Sequence, residues 1–400
     1  MTPFNSSDRI NVIVVGAGVV GCSLAFHLAR AGAKVRVFDK SGICAGMSAR
    51  SGALLRMHYT FLPEADLAWK SLRYFRHWSE LVGGRCGFVK TGFAIVVGAE
   101  NAERLRTNLA LLRSLGIDTY VLEPAELKKL EPDVNISDVV LAAYEPESGY
   151  ADPVATTESF AEGARQRGAS FVLNTPISAV QIRGGRAAGV VDAAGRTHES
   201  DSICIVAGPW TDQLLRPLGV QIGIKAQRAQ IAFFQRPPAL KHCIYIDTIA
   251  GSYFRPHGHD LTLAGLGQMK PEDDPDPDRF RESNDKDFVH AIAERLAKRI
   301  PRLKGARYAR GHAGIYDMSP DSRAVLGPVP GIPGLYVAAG FSGTGFKTSP
   351  AVGAAMAELI TAGAGATADL TPFGLERFQR GELIEPPNEY VLGAGLGHKL

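Results

Sequence analysis

One stretch near the start of the chain restricts its fold more than any other. Residues 9–40 read RINVIVVGAGVVGCSLAFHLARAGAKVRVFDK. The apolar run Ile10 to Val15 predicts a buried strand, and the Ala/Leu-rich segment after Gly21 a helix that closes at Gly32. Val35 to Phe38 reads as a second strand that stops at Asp39. Each glycine between strand and helix has a mechanical reason. Gly16 permits the tight turn, Gly18 lets backbone approach a pyrophosphate, and Gly21 lets the helix sit close to the strand. The helix start at Val19 and Val20 presents N–H groups and a partial positive charge to phosphates. Asp39, followed by Lys40, is placed to accept hydrogen bonds from a ribose diol. The pattern predicts a dinucleotide site, and by itself leaves FAD and NAD open.

A chain of 400 residues is long enough for two domains, and 45% hydrophobic with 21% charged residues is ordinary for a globular enzyme. The net charge of +3, with cations interspersed among acids, argues against nucleic acid as a partner. Cys22, Cys44, Cys86, Cys204 and Cys243 are scattered, with no CxxC pair. They read as reduced thiols of a cytoplasmic protein and suggest no metal site. No apolar stretch reaches the ~18 residues of a membrane span, so no integral membrane segment is expected. The glycines embedded in the first apolar run, and the acid-ended strand behind it, argue against a signal peptide.

Along the chain, residues 1–8 read as a loose leader. Ser41 to Ser51 (SGICAGMSARS) has the small residues needed where backbone lies against a cofactor, and equally those of a surface loop; Ser48, Ser51 and Gly52 are its candidate contacts. Pro63 to Val82 reads as one helix with an apolar face of Leu67, Leu72, Phe75, Trp78 and Val82. Phe88 to Gly98 is β-rich, Ala102 to Gly116 an amphipathic helix, and Pro124 to Leu130 a short one. Asp152-Pro153 is a strong helix start, closed at Gly168, and strands follow at Ser170 to Leu173, Ile177 to Ile182 and Ala188 to Asp192. Ser202 to Val206 runs into Ala207-Gly208-Pro209-Trp210, a second place where backbone can approach a flat or phosphorylated ligand.

From 225 to 267 the pattern switches to strands, at Ala229 to Gln235, Cys243 to Asp247, Ser252 to Pro256 and Asp260 to Gly265. A polar loop at 271–277 and an amphipathic helix from Lys286 to Ile300 follow. The strand Leu335 to Ala338 then opens into a glycine-bearing segment up to Lys347 and a small-residue helix, Thr348 to Ala362. The expected fold is α/β (α+β): a Rossmann-like cofactor domain from the discontinuous segments 1–87, 150–222 and 325–380, an antiparallel-sheet substrate domain from 88–149 and 223–324, and a tail at 381–400.

Four segments, VGAGVVGCSLAFHLARAG, GYADPVATTESFAEGA, ICIVAGPW and AAGFSGTGFKTSPAVG, stand in this order over roughly residues 9–365. They resemble the FAD-dependent oxidoreductases of the D-amino-acid oxidase type, and within these the sarcosine-oxidase-like subgroup. The resemblance implies FAD, held without a covalent bond, with Ile177, Ala207, Gly208, Trp210, Gly340, Gly343, Thr344, Gly345, Phe346 and Lys347 among its contacts. It implies that Arg56, in Arg56-Met57-His58-Tyr59, and Lys347 clamp a substrate carboxylate; the bland alternative is ordinary surface charges, against which each sits among apolar or glycine residues. Tyr316 stands where the subgroup keeps an aromatic residue over the substrate, and the helix from Thr344 should aim its N-terminus at the flavin. Tyr59 is read as a site residue. His58 is open as flavin attachment, base or neutral pocket residue, and Tyr253 as a wall residue.

Two departures follow. The position of the cysteinyl–flavin bond falls at Gly314, where no such bond can form, and the oxygen-reactive lysine falls near Thr262. The implied activity is oxidation of a C–N bond in a secondary or N-alkylated amino acid by hydride transfer to flavin N5, giving an imine that hydrolyses. Oxygen or another electron-acceptor partner takes the electrons. Other readings are a D-amino-acid or glycine dehydrogenase, a 2-hydroxy-acid oxidase, an NAD-dependent dehydrogenase and a non-catalytic flavin-binding subunit.

Overall fold

The opening apolar run forms the strand Asn11–Val15 at the centre of a six-stranded sheet. Across the sheet the order is Val325–Pro328, Leu335–Ala339, Ser202–Ile205, Asn11–Val15, Lys34–Phe38, Ser170–Val172, parallel except for the first pair. Both faces are covered, which is why the inner strands read as continuous Val/Ile runs rather than alternating ones. The computed structural model describes residues 10–267 and 274–391; the leader expected at 1–8 lies outside them, as do the first residues of the loop expected at 271–277.

One face carries the helices Val19–Arg30, Leu62–Arg76, Pro153–Arg165 and Gly345–Ala362. The first and last of these cross closely because Gly353 has no side chain: a Cβ there would run into Ser23. The other face packs on the small sheet Ile177–Arg183, Arg186–Asp192, Thr197–Glu199. A second, eight-stranded sheet runs in the order Tyr308–Met318, Lys225–Gln235, Leu261–Leu266, Ser252–His257, Ile244–Asp247, Phe93–Val97, Leu141–Glu145, Tyr120–Leu122. It is antiparallel except where Ile244–Asp247 meets Phe93–Val97, so the expected all-antiparallel sheet contains one parallel pair.

The helix expected over 63–82 is two, Leu62–Arg76 and Trp78–Leu81. His77 leaves helical geometry (φ −121°, ψ 36°), and Trp78 turns in to stack on Phe75. The last helix begins at Gly345, three residues before the start read from its small-residue composition and directly after Thr344, the start that the resemblance gave, and runs through Pro350. The carbonyl of Phe346, which loses its helical N–H donor at that proline, accepts from Ser349 Oγ at 2.9 Å instead. Tyr308–Met318 and Val325–Pro328 are strands that the sequence pattern did not indicate. Among the described residues no helix is long and apolar enough to cross a membrane.

Candidate functional site

Gly16 has φ +118°, and a Cβ on it would run into the carbonyl oxygen of Val206 at the exit of the strand Ser202–Ile205. A Cβ on Gly21 would strike the carbonyl of Gly16 itself. Two close approaches therefore explain two of the glycines, and the first ties the turn to the segment Ala207–Trp210 as well as to the helix. At Gly18 a Cβ would lie 3.1 Å from Ser48 Oγ, which already accepts the N–H of Val19 at 3.0 Å. The side chain that reaches the helix start thus comes from the short helical turn Met47–Arg50 in the loop after the second strand.

Asp39 differs in part from its expected role. One carboxylate oxygen accepts the N–H of Ala17 at 2.7 Å and the other that of Ser41 at 2.8 Å. The side chain braces the glycine turn, and each oxygen keeps a lone pair for a ligand hydroxyl.

A cavity of about 550 Å³ opens over this turn. Gly16, Gly18, Val19, Val20 and Gly21 line it, with Asp39 and Lys40, and so do Ser48, Ser51 and Gly52. Ile177, Ala207, Gly208 and Trp210 form another wall, and Gly343, Gly345 and Phe346 a third. Lys40 lies over the Trp210 ring at 3.7 Å and pairs with Asp278, which also accepts Trp210 Nε1–H at 3.0 Å. The large sheet contributes Gly314, Tyr316 and Asp317. Gly314 is without a side chain here, and a Cβ would crowd Arg50 at 3.1 Å. Tyr316 packs near Gly343, with Tyr253 beside it, and burial raises both phenols. Burial pushes Asp317 up to about 6 although it accepts the N–H of Phe341 at 3.2 Å.

Gly340 and Thr344 do not line the cavity. Gly340 makes the turn with φ +67° against Ser319, and the Thr344 hydroxyl donates to the carbonyl of Phe341 at 2.8 Å. Thr262 is also elsewhere: it is fully buried and bonded to His242 at 2.8 Å, so its identity bears on nothing inside the cavity.

Arg56, His58, Tyr59 and Lys347 lie outside the cavity lining and form a buried corner beside its glycine-bearing wall. The Arg56 guanidinium donates to the carbonyl of His58, sits 4.2 Å over the Tyr59 ring, and meets no carboxylate at ion-pair distance among the described residues. Lys347 Nζ is 5.9 Å from the centre of the same ring and 3.4 Å from the carbonyl of Gly343. Structure therefore brings the two cations to one tyrosine. The Tyr59 hydroxyl is buried without a hydrogen-bond partner among the described residues, and burial raises its pKa. Burial, helped by the Arg56 charge, drops His58 to about 3, so the ring is neutral; it meets Tyr390 and does not line the cavity.

Sequence reasoning missed Glu145, Tyr390, Asp317 and Arg50. Glu145 accepts the N–H of Met57 at 3.0 Å and the Ser148 hydroxyl at 2.7 Å, and burial pushes it up to about 7. No spacing marks these residues, because each meets the site through a tertiary contact. Among the described residues no group of three or more His, Cys, Asp or Glu is placed to hold a metal ion, and all five cysteines are buried free thiols.

The glycine turn, a helix start and an acid around one large cavity fit a dinucleotide. The model of the FAD dependent oxidoreductase family matches residues 11–359. The sarcosine oxidase subunit beta of Rhodobacter capsulatus is 26% identical over 402 residues, covering 98% of this chain and 92% of that protein. The glycine oxidase of Geobacillus kaustophilus is 25% identical over 380 residues, covering 93% and 98%. The crystal structure of L-proline dehydrogenase from P. horikoshii superposes with a TM-score of 0.86 at 27% identity, over 94% of this chain and 99% of that one.

Proposed function

The chain belongs to the FAD dependent oxidoreductase family and is an FAD-dependent enzyme of amino-acid oxidation, and from that membership we propose that its substrate is a secondary or N-alkylated amino acid of the sarcosine type. The observation that carries this reading is the corner itself. Among the described residues a buried guanidinium meets no carboxylate, a buried phenol has no hydrogen-bond partner, and an ammonium approaches the same ring. Buried polar groups are paired as a rule, so a site left in this state is completed by a ligand that brings the missing acceptors. A carboxylate accepts from Arg56, Tyr59 and Lys347 together, and charge-assisted bonds of this kind fix its position. Named relatives act on sarcosine and on L-proline, both amino acids with a substituted nitrogen, which supports the substrate class.

FAD, when bound, supplies the acceptor for a hydride leaving the carbon next to nitrogen. The chain does the rest. Arg56 and Lys347 orient the acid, and Tyr316 covers the substrate from the large sheet. The N-terminus of the helix Gly345–Ala362 places its positive end at the cavity wall, where added electrons build negative charge. His58 stays neutral and adds no charge beside the cations. In this reading 1–87, 150–222 and 325–380 form the cofactor domain, and 88–149 with 223–324 the substrate domain.

Anaerobic bleaching of the bound flavin by sarcosine, L-proline, glycine and D-alanine tests the class. Faster reduction by sarcosine or proline is expected, and faster reduction by glycine or D-alanine overturns it. Arg56→Ala and Lys347→Ala should each raise KM ~10-fold or more with FAD retained. Unchanged kinetics in both removes the clamp.

A further inference from the structure

The segment Asn388–Val391 has no regular structure, yet it is stitched into the Arg56 corner by side chains from three places in the chain. Asn101 clamps Val391 reciprocally, donating to its carbonyl at 2.7 Å and accepting its N–H at 2.8 Å. Asn108 donates to the carbonyl of Asn388 at 3.0 Å. Glu389 accepts from the Thr60 hydroxyl at 2.7 Å and from Arg323 at 2.6 Å, and Arg323 continues to Glu64 at 3.0 Å. Between these ties Tyr390 is buried, its ring stacked on His58 with centres 5.8 Å apart and its hydroxyl 2.7 Å from His58 Nε2.

His58 in turn presents its backbone carbonyl to the Arg56 guanidinium. The path from the tail to the cation is therefore two contacts long: phenol to imidazole, then carbonyl to guanidinium. A guanidinium held over a ring by one carbonyl is free to swing unless that carbonyl is itself fixed. The peptide at His58 is fixed from its side-chain end by Tyr390 and one residue earlier by Glu145, which accepts the N–H of Met57.

We propose that Tyr390 is a positioning residue for substrate binding, acting through His58 to hold the Arg56 guanidinium in the direction a carboxylate requires. The proposal rests on the reading of Arg56 as the carboxylate-binding cation. It makes the segment Asn388–Val391 a part of the substrate site, although none of these four residues lines the cavity.

Tyr390→Phe keeps the ring and removes only the hydroxyl. The readout is the perturbation of the bound-FAD spectrum by acetate, a carboxylate with no amine, together with the kinetics of sarcosine or proline oxidation on the holoenzyme. Tyr390→Phe should weaken acetate ~10-fold and raise KM by a similar factor, with kcat moved less than twofold and FAD content unchanged. His58→Phe should do the same. The double variant should be no worse than either single one, because both break one path.

Arg56→Lys, which keeps the charge and loses the fork, separates this proposal from its premise. If Arg56→Lys and Arg56→Ala leave acetate binding as it is, or if acetate leaves the wild-type spectrum unperturbed, the carboxylate reading of Arg56 fails and this proposal with it. If the Arg56 variants lose acetate and Tyr390→Phe does not, the positioning role alone is overturned. Additive losses in the double variant, or equal falls in kcat and FAD content, would likewise mark Tyr390 as merely structural.

Discussion

At the cofactor end of the molecule the groove is built from backbone. Gly16, Gly18 and Gly21 fall within six residues, Asp39 braces the turn across a separation of 22, and close approaches of main chain to main chain set the shape. At the Arg56 corner the same task of holding a ligand falls to side chains that meet from far apart. Met57 meets Glu145 across 88 residues, Thr60 meets Glu389 across 329, and His58 meets Tyr390 across 332. The groove has no room for a Cβ at its hinge glycines, Gly16 and Gly21. The corner tolerates backbone of ordinary conformation but depends on protonation states and hydrogen bonds in a dry interior. One end is sensitive to sterics, and the other to charge.

The hardest test of that contrast is a single methyl group. Gly16→Ala puts a Cβ into the carbonyl of Val206 on a residue with φ +118°, and strain with overpacking costs about 2–5 kcal/mol. A loss of FAD affinity of ~100-fold or failure to fold is expected, measured by flavin content and thermal unfolding. Gly32→Ala is the control, since Gly32 also has a positive φ of +90° but open space around its Cβ position and lies outside the cavity lining; about 1–2 kcal/mol is expected there. Equal effects in the two variants would show that close approach does not shape the groove.

The corner should respond to pH, and so should Asp317 in the cavity wall, which burial also raises. Burial raises Glu145 to about 7, so between pH ~4.5 and 7 the folded chain holds a proton that the unfolded chain has released. Stability from this residue therefore falls as pH rises through that window. His58 works in the opposite sense: held down to about 3, it leaves the unfolded chain with the extra proton below ~6.5, so its contribution falls as pH drops. Glu131, also raised to about 7 by burial, adds a background of the same sign as Glu145. Subtracting Glu145→Gln from wild type isolates one residue. The stability difference should shift by roughly 1–3 kcal/mol against the wild type between pH 5 and 7, followed by denaturant unfolding. A flat difference would mean the corner is wetter than its burial indicates.

The same contrast explains what could be read in advance. The glycine turn, the segment Ala207–Trp210 and the segment Gly343–Phe346 converge on one cavity, and each carries its reason in a few consecutive residues. Arg56 and Lys347 stood out only through resemblance, since nothing in their neighbours says that they share a tyrosine ring. Tyr390 and Glu145 had no local signal at all. The strand Tyr308–Met318 was hidden for a different reason. Gly311 and Gly314 depress β-propensity, yet Asn284 and the carbonyl of Ile231 leave no room for a Cβ at Gly311, and Arg50 would crowd one at Gly314.

The smallest effect lies at the groove's rim, where a side-chain pair does touch the cofactor end. Lys40 and Asp278 are 38% and 50% exposed, and the pair joins the end of the second strand to the loop before the helix Lys286–Arg299. Exposed pairs contribute about 0.2–1 kcal/mol, so Lys40→Met should weaken FAD no more than ~5-fold at low salt. Because the charges face water, the difference should shrink as salt rises toward ~0.5 M, since exposed pairs are screened. The Trp210 ring, 3.7 Å from Lys40, keeps its contact with a Met side chain, so packing is largely conserved and the salt series isolates charge. A loss of ~100-fold that survives high salt would place the grip on the dinucleotide in Lys40 rather than in the main chain, and the division of labour between the two ends would no longer hold.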